Sequence, residues 1–173
     1  MNDTALSTRK ANPQRFDSID ALLDFKDQPA LQSASVVIDQ DTISRFAQVT
    51  QDTQWIHTDP ARAHAESPYG TTIAHGFLVM SLLSYWQSTC IAFPKARMLL
   101  NYGFDKIRFT AAVLSGASVS ASFALTEVTQ IRPGEARCKW NVKVCLDDTQ
   151  QVAIYADWLI MVRFDEAESA SAS

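Results

Sequence analysis

The stretch IAHGFLVMSLLSYW, residues 73–86, decides the fold. Drawn as a helix, it is apolar on nearly every side, with Thr72 placed to cap it. A helix that is hydrophobic all round must be buried. It is also shorter than the roughly 18–20 residues a bilayer-crossing helix needs. Some other part of the chain therefore has to cover it.

The cover lies on the C-terminal side. Ala117, Val119, Ala121, Phe123 and Leu125 alternate with Ser118, Ser120, Ser122 and Thr126. Ala136, Cys138, Trp140, Val142, Val144 and Leu146 alternate with Arg137, Lys139, Asn141 and Lys143. A period of two marks half-buried strands. Arg132-Pro133-Gly134-Glu135 and Asp147-Asp148-Thr149-Gln150 supply the hairpin connections. Val152 to Phe164 is apolar on both faces in its middle, as a central strand would be. An earlier strand is expected from about Ile107 to Leu114, turning at Ser115-Gly116.

On the N-terminal side the pattern is helical. DSIDALLDF, 17–25, places Ile19, Leu22 and Leu23 on one side of a short helix. Val36 to Ile38 form a short strand. A helix capped by Asp39 or Asp41 follows, with a stripe of Ile43, Phe46 and Ala47, and ends near Thr50. Asp59-Pro60 starts another short helix, which stops at Ser67-Pro68. Helices cluster first and antiparallel strands last, so the expected fold class is α+β: a single domain over 16–165, its sheet wrapped around one buried helix. Residues 1–15 read as a disordered arm and 166–173 as a disordered, solvated tail.

Bulk properties exclude several functions. The chain has 173 residues, 47% hydrophobic and 20% charged, which suits one globular domain. A net charge of −4 argues against a nucleic-acid binder. Cys90, Cys138 and Cys145 form neither a disulfide framework nor a zinc pattern and read as small core hydrophobes. With no signal peptide and no membrane span, the expected compartment is the cytoplasm.

The chemistry concentrates in TQDTQWIHTDPARAHAESPYGTTIAHG, residues 50–76. Asp52 stands five residues before His57. A carboxylate and an imidazole on one short connection, beside the start of a buried helix, suggest acid/base chemistry on a carbonyl compound. Asp52, His57, Asp59 and His75 are residue types that bind zinc or iron, but their spacing matches no standard motif, and no metal is expected. His75 reads as a packing group that supports the site, His64 as solvated, and Trp55 as a loop anchor.

The QDTQWIH loop, the AESPYGTTIAHGF stretch and the NYGFDKIRF segment (101–109) resemble the MaoC-like hot-dog proteins. The likeness is to the branch holding nodulation-protein-N-like proteins and (R)-specific enoyl-CoA hydratases. It implies a curved antiparallel sheet around a central helix, a homodimer, and reversible hydration of trans-2-enoyl thioesters to (R)-3-hydroxyacyl thioesters. By the same resemblance Asp52 and His57 are catalytic and the Gly76 N–H forms the oxyanion hole. Ser84, His75 and Gln54 are implied to help position substrate or dyad. Lys106 and Arg108 are the expected contacts for coenzyme A phosphates, with no cofactor beyond coenzyme A as part of the substrate. The family's usual glycine before the aspartate is Gln51 here, and its Asn-Pro is Gln54-Trp55. If the backbone needs a positive φ at that point, Gln51 strains it or shifts Asp52.

In the expected mechanism Asp52 takes a proton from water, while His57 positions that water and passes a proton to the α-carbon. The depth of the acyl pocket is expected to follow packing around Leu78, Leu82 and Trp86. Two alternatives stand beside the hydratase: an acyl-CoA thioesterase on the same fold, and a non-catalytic acyl-thioester-binding accessory protein.

Overall fold

Alternating sequence builds most of the sheet. A computed structural model describes residues 12–165. In chain order the elements are β1 (Gln14–Arg15), α1 (Ile19–Phe25), β2 (Leu31–Gln32), β3 (Val36–Ile38), α2 (Gln40–Thr50), α3 (Trp55–Thr58) and α4 (Pro60–Glu66). They continue with α5 (Gly76–Ser81), α6 (Leu83–Cys90), β4 (Ile91–Ala92), β5 (Ala96–Phe109), β6 (Ala117–Arg132), β7 (Glu135–Leu146) and β8 (Val152–Phe164). The main sheet is antiparallel in the order β2-β6-β7-β8-β5, and β3 also pairs with β6.

One face of that sheet is the core. Val119, Ala121, Phe123 and Leu125 of β6 are buried, as are Trp140, Val142 and Val144 of β7. Trp140 pairs across the strands with Trp158 of β8, and both rings are fully buried with Trp86 of α6 and Phe16. Truncating one such ring to alanine typically costs about 3–5 kcal/mol. The central helix thus rests on the apolar face of the sheet, in a mixed α+β domain.

Several boundaries differ from expectation. The buried helix begins at Gly76, and Thr72 does not cap it. Residues 72–75 are extended instead: Ile73 N–H donates to Ile56 O at 3.0 Å and Ala74 N–H to Val113 O at 2.7 Å. The long-range partners of that backbone override local helix preference. The helix is also divided at Leu82 and runs on to Cys90. The first long strand starts at Ala96, well before Ile107, and ends at Phe109. Its apolar residues do not alternate with polar ones, because it is an edge strand that leaves Met98, Leu99, Leu100 and Tyr102 exposed. Leu114 makes only an isolated bridge to Ile73. Leu23 is exposed, so the stripe of α1 is Ile19 and Leu22.

Of the expected arm, Gln14 and Arg15 pair in parallel with Ile91 and Ala92, so chain order begins inside the stretch assigned to it. Residues 1–11 and the tail 166–173 lie outside the described residues.

Candidate functional site

The site is assembled by three chain segments. The first is the end of α2, where Gln51 adopts φ 61°, ψ 18° as the helix C-cap. That left-handed residue turns the chain so that Asp52 leaves the helix. The second is α3, a single turn that the sequence presents as a loop. Gln54 O accepts from His57 N–H at 2.9 Å and from Thr58 N–H at 3.3 Å, and Asp59 then caps α4 by accepting from Arg62 N–H at 3.0 Å. The third is the extended segment 72–75 leading into α5.

His57 is 7% exposed and His75 is 3% exposed. Their rings stack with centroids 3.8 Å apart. His57 donates Nδ1–H to Ile73 O at 2.7 Å. A carbonyl only accepts, so the neutral ring keeps its lone pair on Nε2. His75 donates Nε2–H to the backbone carbonyl of Asp52 at 3.0 Å, and its buried Nδ1 has no hydrogen-bond partner. The Asp52 side chain is 52% exposed, with a carboxylate oxygen 4.0 Å from His75 Nε2. One ligating atom each from Asp52, His57 and His75 lies within 4.8 Å of the others.

Burial pushes the His57 pKa below its ordinary 6.5; the bond to Ile73 O opposes this, His75 adds to the lowering, and Asp52 works against it. The site therefore holds a neutral imidazole near neutral pH.

Metal chemistry fits these residues poorly. Stacked rings run their in-plane lone pairs side by side, away from a common point. One nitrogen of each ring already donates to a carbonyl. Zinc at about 2.0–2.1 Å from each nitrogen would require the rings to splay.

A cavity of about 440 Å³ opens beside His57; Asp52 is not among its lining residues. His57 and Gly76 both line it, over a buried floor of Val79, Val113, Ala153 and Ile154. Exposed Tyr69, Phe77 and Phe109 form its rim. Gly76 opens α5, and Val79 N–H is the first in that helix to return to a carbonyl, that of His75 at 3.2 Å. The amides before it find no helical acceptor and carry the positive end of the helix dipole. A Cβ on Gly76 would lie 2.8 Å from two ring carbons of Phe109, so any side chain there would have to displace that ring.

Other expected residues fall elsewhere. Ser84 lies in a separate hollow with Gln87 and Asn101, where its Oγ accepts from Asn101 Nδ2 at 3.3 Å. Ser84 lies in α6, beyond the break at Leu82, about two turns further along than Gly76. The Gln54 side chain makes no cap and does not line the cavity. Lys106 and Arg108 pair with Asp157 and Tyr155, whereas Ile107 and Phe109 pair with buried Ala156 and Ile154. Alternation therefore points both cations to the sheet face away from the cavity, and Lys106 lies 5.7 Å from the centre of the Tyr155 ring. Leu78, Leu82 and Trp86 do not line the cavity; the residues of α5 that do are Gly76, Phe77 and Val79.

Sequence reasoning missed Phe109, Ala153 and Ile154 as cavity residues, and Gln40, whose side chain donates to His57 O at 2.8 Å. Phe109 ends the NYGFDKIRF segment, which could have flagged it. Ala153 and Ile154 sit in a continuous apolar run that gives no sign of a cavity. Elsewhere, burial raises the thiol pKa of Cys90 to about 11 and of Cys138 to about 12, so neither supplies a nucleophile.

Residues 24–145 match the family described as MaoC like domain. Nodulation protein N of Rhizobium meliloti (strain 1021) is 38% identical over 138 residues, covering 79% of this chain and 86% of that protein. The 3-hydroxyacyl-thioester dehydratase Z of Mycobacterium tuberculosis (strain ATCC 25618 / H37Rv) is 34% identical over 145 residues, covering 84% of this chain and 95% of that protein. Among solved structures, the (R)-hydratase from A. caviae involved in PHA biosynthesis superposes with a TM-score of 0.57 at 20% identity, covering 78% of this chain and 96% of that one.

Proposed function

The chain belongs to the MaoC-like domain family, and we propose that it catalyses the reversible addition of water to trans-2-enoyl thioesters, giving (R)-3-hydroxyacyl thioesters. The observation that carries this reading is the shared cavity of His57 and Gly76, with the Asp52 carboxylate close by. Ligating atoms no more than 4.8 Å apart leave room for one bridging water between carboxylate and imidazole.

Asp52 accepts a hydrogen bond from that water and orients it. The bare Nε2 of His57 takes the water's other proton as the oxygen bonds to C3 of the enoyl group. The C2–C3 electron pair moves toward the thioester, and charge builds on its oxygen. The Gly76 N–H at the start of α5 faces that charge; one such donor is worth about 3–4 kcal/mol of barrier in comparable sites. The imidazolium then returns its proton to C2, so one water is added and the enzyme is restored. Asp52 thus orients rather than deprotonates, and the proton travels through His57; the neutral Nδ1–H tautomer supports this division of roles. The reaction needs no redox group, and coenzyme A enters only as part of the substrate.

A homodimer belongs to the same reading. Edge strand β5 exposes Leu99, Leu100 and Tyr102, and Phe77 and Tyr85 of α5 and α6 are exposed as well. A long apolar edge left open invites pairing with a second copy. Light scattering should give twice the 19.2 kDa chain mass, and a stable 19.2 kDa species at micromolar concentration would contradict the dimer. The cytoplasm remains the proposed compartment: Cys90, Cys138 and Cys145 are free thiols, and no helix among the described residues is long and apolar enough to cross a membrane.

Crotonyl-CoA tests the chemistry. Loss of enoyl absorbance without free thiol, and an (R)-3-hydroxybutyryl product on chiral analysis, are expected. Release of free coenzyme A would overturn hydration in favour of thioester hydrolysis.

A further inference from the structure

Gln40 is the first residue of α2 and sits far from the dyad in sequence. Its Nε2 donates to His57 O at 2.8 Å and to Ser44 Oγ at 3.2 Å, and its Oε1 accepts from the Thr72 hydroxyl. The His57 carbonyl can only accept, so the amide nitrogen must face it, which leaves the oxygen for Thr72. Thr72 is 1% exposed, and its own carbonyl accepts from Ser115 N–H at 2.9 Å.

These bonds close a ring around the histidine. One side of the Gln40 amide holds the His57 main chain. The other holds Thr72, whose neighbour Ile73 supplies the carbonyl that receives His57 Nδ1–H. We propose that Gln40 is a positioning residue of this site, a side-chain clip that fixes the distance between the His57 backbone and the Ile73 carbonyl and so holds the imidazole in its Nδ1–H tautomer and orientation. The inference rests on the hydratase reading only for its kinetic consequence. The groups facing His57 from neighbouring segments are His75 and Asp52, and neither touches the Gln40 amide.

Only an amide fills the role, because it donates on one side and accepts on the other. Gln40→Glu would set a carboxylate oxygen against the His57 carbonyl, and Gln40→Met would fill the space with no polar bond. Displacement of a catalytic group by about 1 Å can cost up to roughly 100-fold in rate.

The test uses the full chain, with Gln40→Met, Gln40→Glu, Thr72→Val, Thr72→Ser and the Gln40→Met/Thr72→Val pair. Turnover of crotonyl-CoA and the proton NMR signal of the His57 Nδ1–H, assigned through His57→Gln, are both measured. Gln40→Met and Gln40→Glu should lower kcat by about 10- to 100-fold, the range for a misplaced group, with KM within about twofold. Thr72→Ser should behave like the parent, and the paired variant should be no worse than its worse single, because both changes cut one connection. The Nδ1–H signal should broaden or vanish in Gln40→Met. Parental kcat with an unaltered Nδ1–H signal in that variant would overturn the proposal. If Gln40→Met does not fold, Thr72→Val reads the same connection from its other end. If the parent turns over no enoyl thioester, the hydratase reading fails by itself. The NMR signal still decides whether the clip exists.

Discussion

Two hollows flank the divided central helix. One, of about 440 Å³, lies at the start of α5; the other, of about 280 Å³, lies beside α6. Both have apolar walls and a few polar groups. The first joins an imidazole to helix-start amides that have no helical acceptor; the Asp52 carboxylate does not line it but lies within 4.8 Å of the histidine ring nitrogens. The second offers Ser84, Gln87, Ser88 and Asn101, of which Ser84 and Asn101 bond to each other, and no ionisable residue lines it. Apolar walls with a few polar groups therefore do not by themselves mark a candidate site. The difference is a group able to change protonation state, set beside donors with no internal acceptor.

The largest expected effect divides the hollows directly. His57→Ala should lower crotonyl-CoA turnover by about 10²- to 10⁴-fold, the range for a lost acid/base group. Asp52→Ala should fall in the lower part of that range. Ser84→Ala should stay within about twofold of the parent, since its hydroxyl meets only Asn101. A large loss in Ser84→Ala, or full activity in His57→Ala, would break the comparison.

Gly76→Ala probes the boundary between packing and chemistry. The added methyl must displace the Phe109 ring from 2.8 Å, and such overpacking typically costs about 1–3 kcal/mol. In a chain of this size that is a Tm lower by about 2–12 °C, measurable by calorimetry. Adding Phe109→Leu should restore most of the Tm. Turnover should stay low in the double variant if the methyl also keeps the thioester from the amide. Full recovery of both would reduce Gly76 to a packing residue.

A pH profile sharpens the contrast further. The proposed mechanism needs neutral His57, and burial lowers its pKa below 6.5. The acid limb of kcat/KM should therefore fall below pH 6.5 and be absent from the residual activity of His57→Gln. Stability moves in the same direction. The unfolded histidine holds its proton at higher pH than the folded one, so this residue's contribution to stability is present above the unfolded pKa and lost as pH drops through the folded one. An acid limb above 6.5 would show that Asp52 outweighs burial in setting the protonation of His57.

Much of this was legible in the chain itself, and the parts that were not share a cause. Asp39 and Asp59-Pro60 mark their helices because capping is local: each aspartate accepts from an amide three residues on. The β6–β8 hairpins were legible because alternation records one buried face. The start of the central helix was not. Thr72 has the chemistry of a cap, but its hydroxyl goes to Gln40, thirty-two positions earlier. The proximity of Asp52 to His57 was legible from their spacing. The stacking of His75 on His57, the Phe109 ring against Gly76, and the outward turn of Lys106 and Arg108 depend on contacts between segments distant in sequence. Ser84 was misplaced for the same reason, since one position on a helix does not reveal which neighbour its face meets.

The smallest effect concerns the backbone that presents Asp52. Gln51 holds φ 61°, a left-handed conformation that costs a non-glycine residue about 1–2 kcal/mol. None of the residues lining either hollow is held that way; Gln51 acts on the first only through the neighbouring Asp52. Part of the cost is met by its own side chain, whose Nε2 donates to Gln48 O at 2.7 Å. Gln51→Gly removes the strain but frees the unfolded chain, which gives back about 0.5–1 kcal/mol. The balance favours glycine by up to about 1 kcal/mol, or a Tm higher by roughly 2–4 °C. Turnover should change little, because the turn that carries Asp52 is retained. A lower Tm would mean that the Gln51–Gln48 bond outweighs the strain. A large drop in kcat at higher Tm would mean that the strained turn itself holds the carboxylate beside His57, making backbone conformation a further requirement of the first hollow that the second does not share.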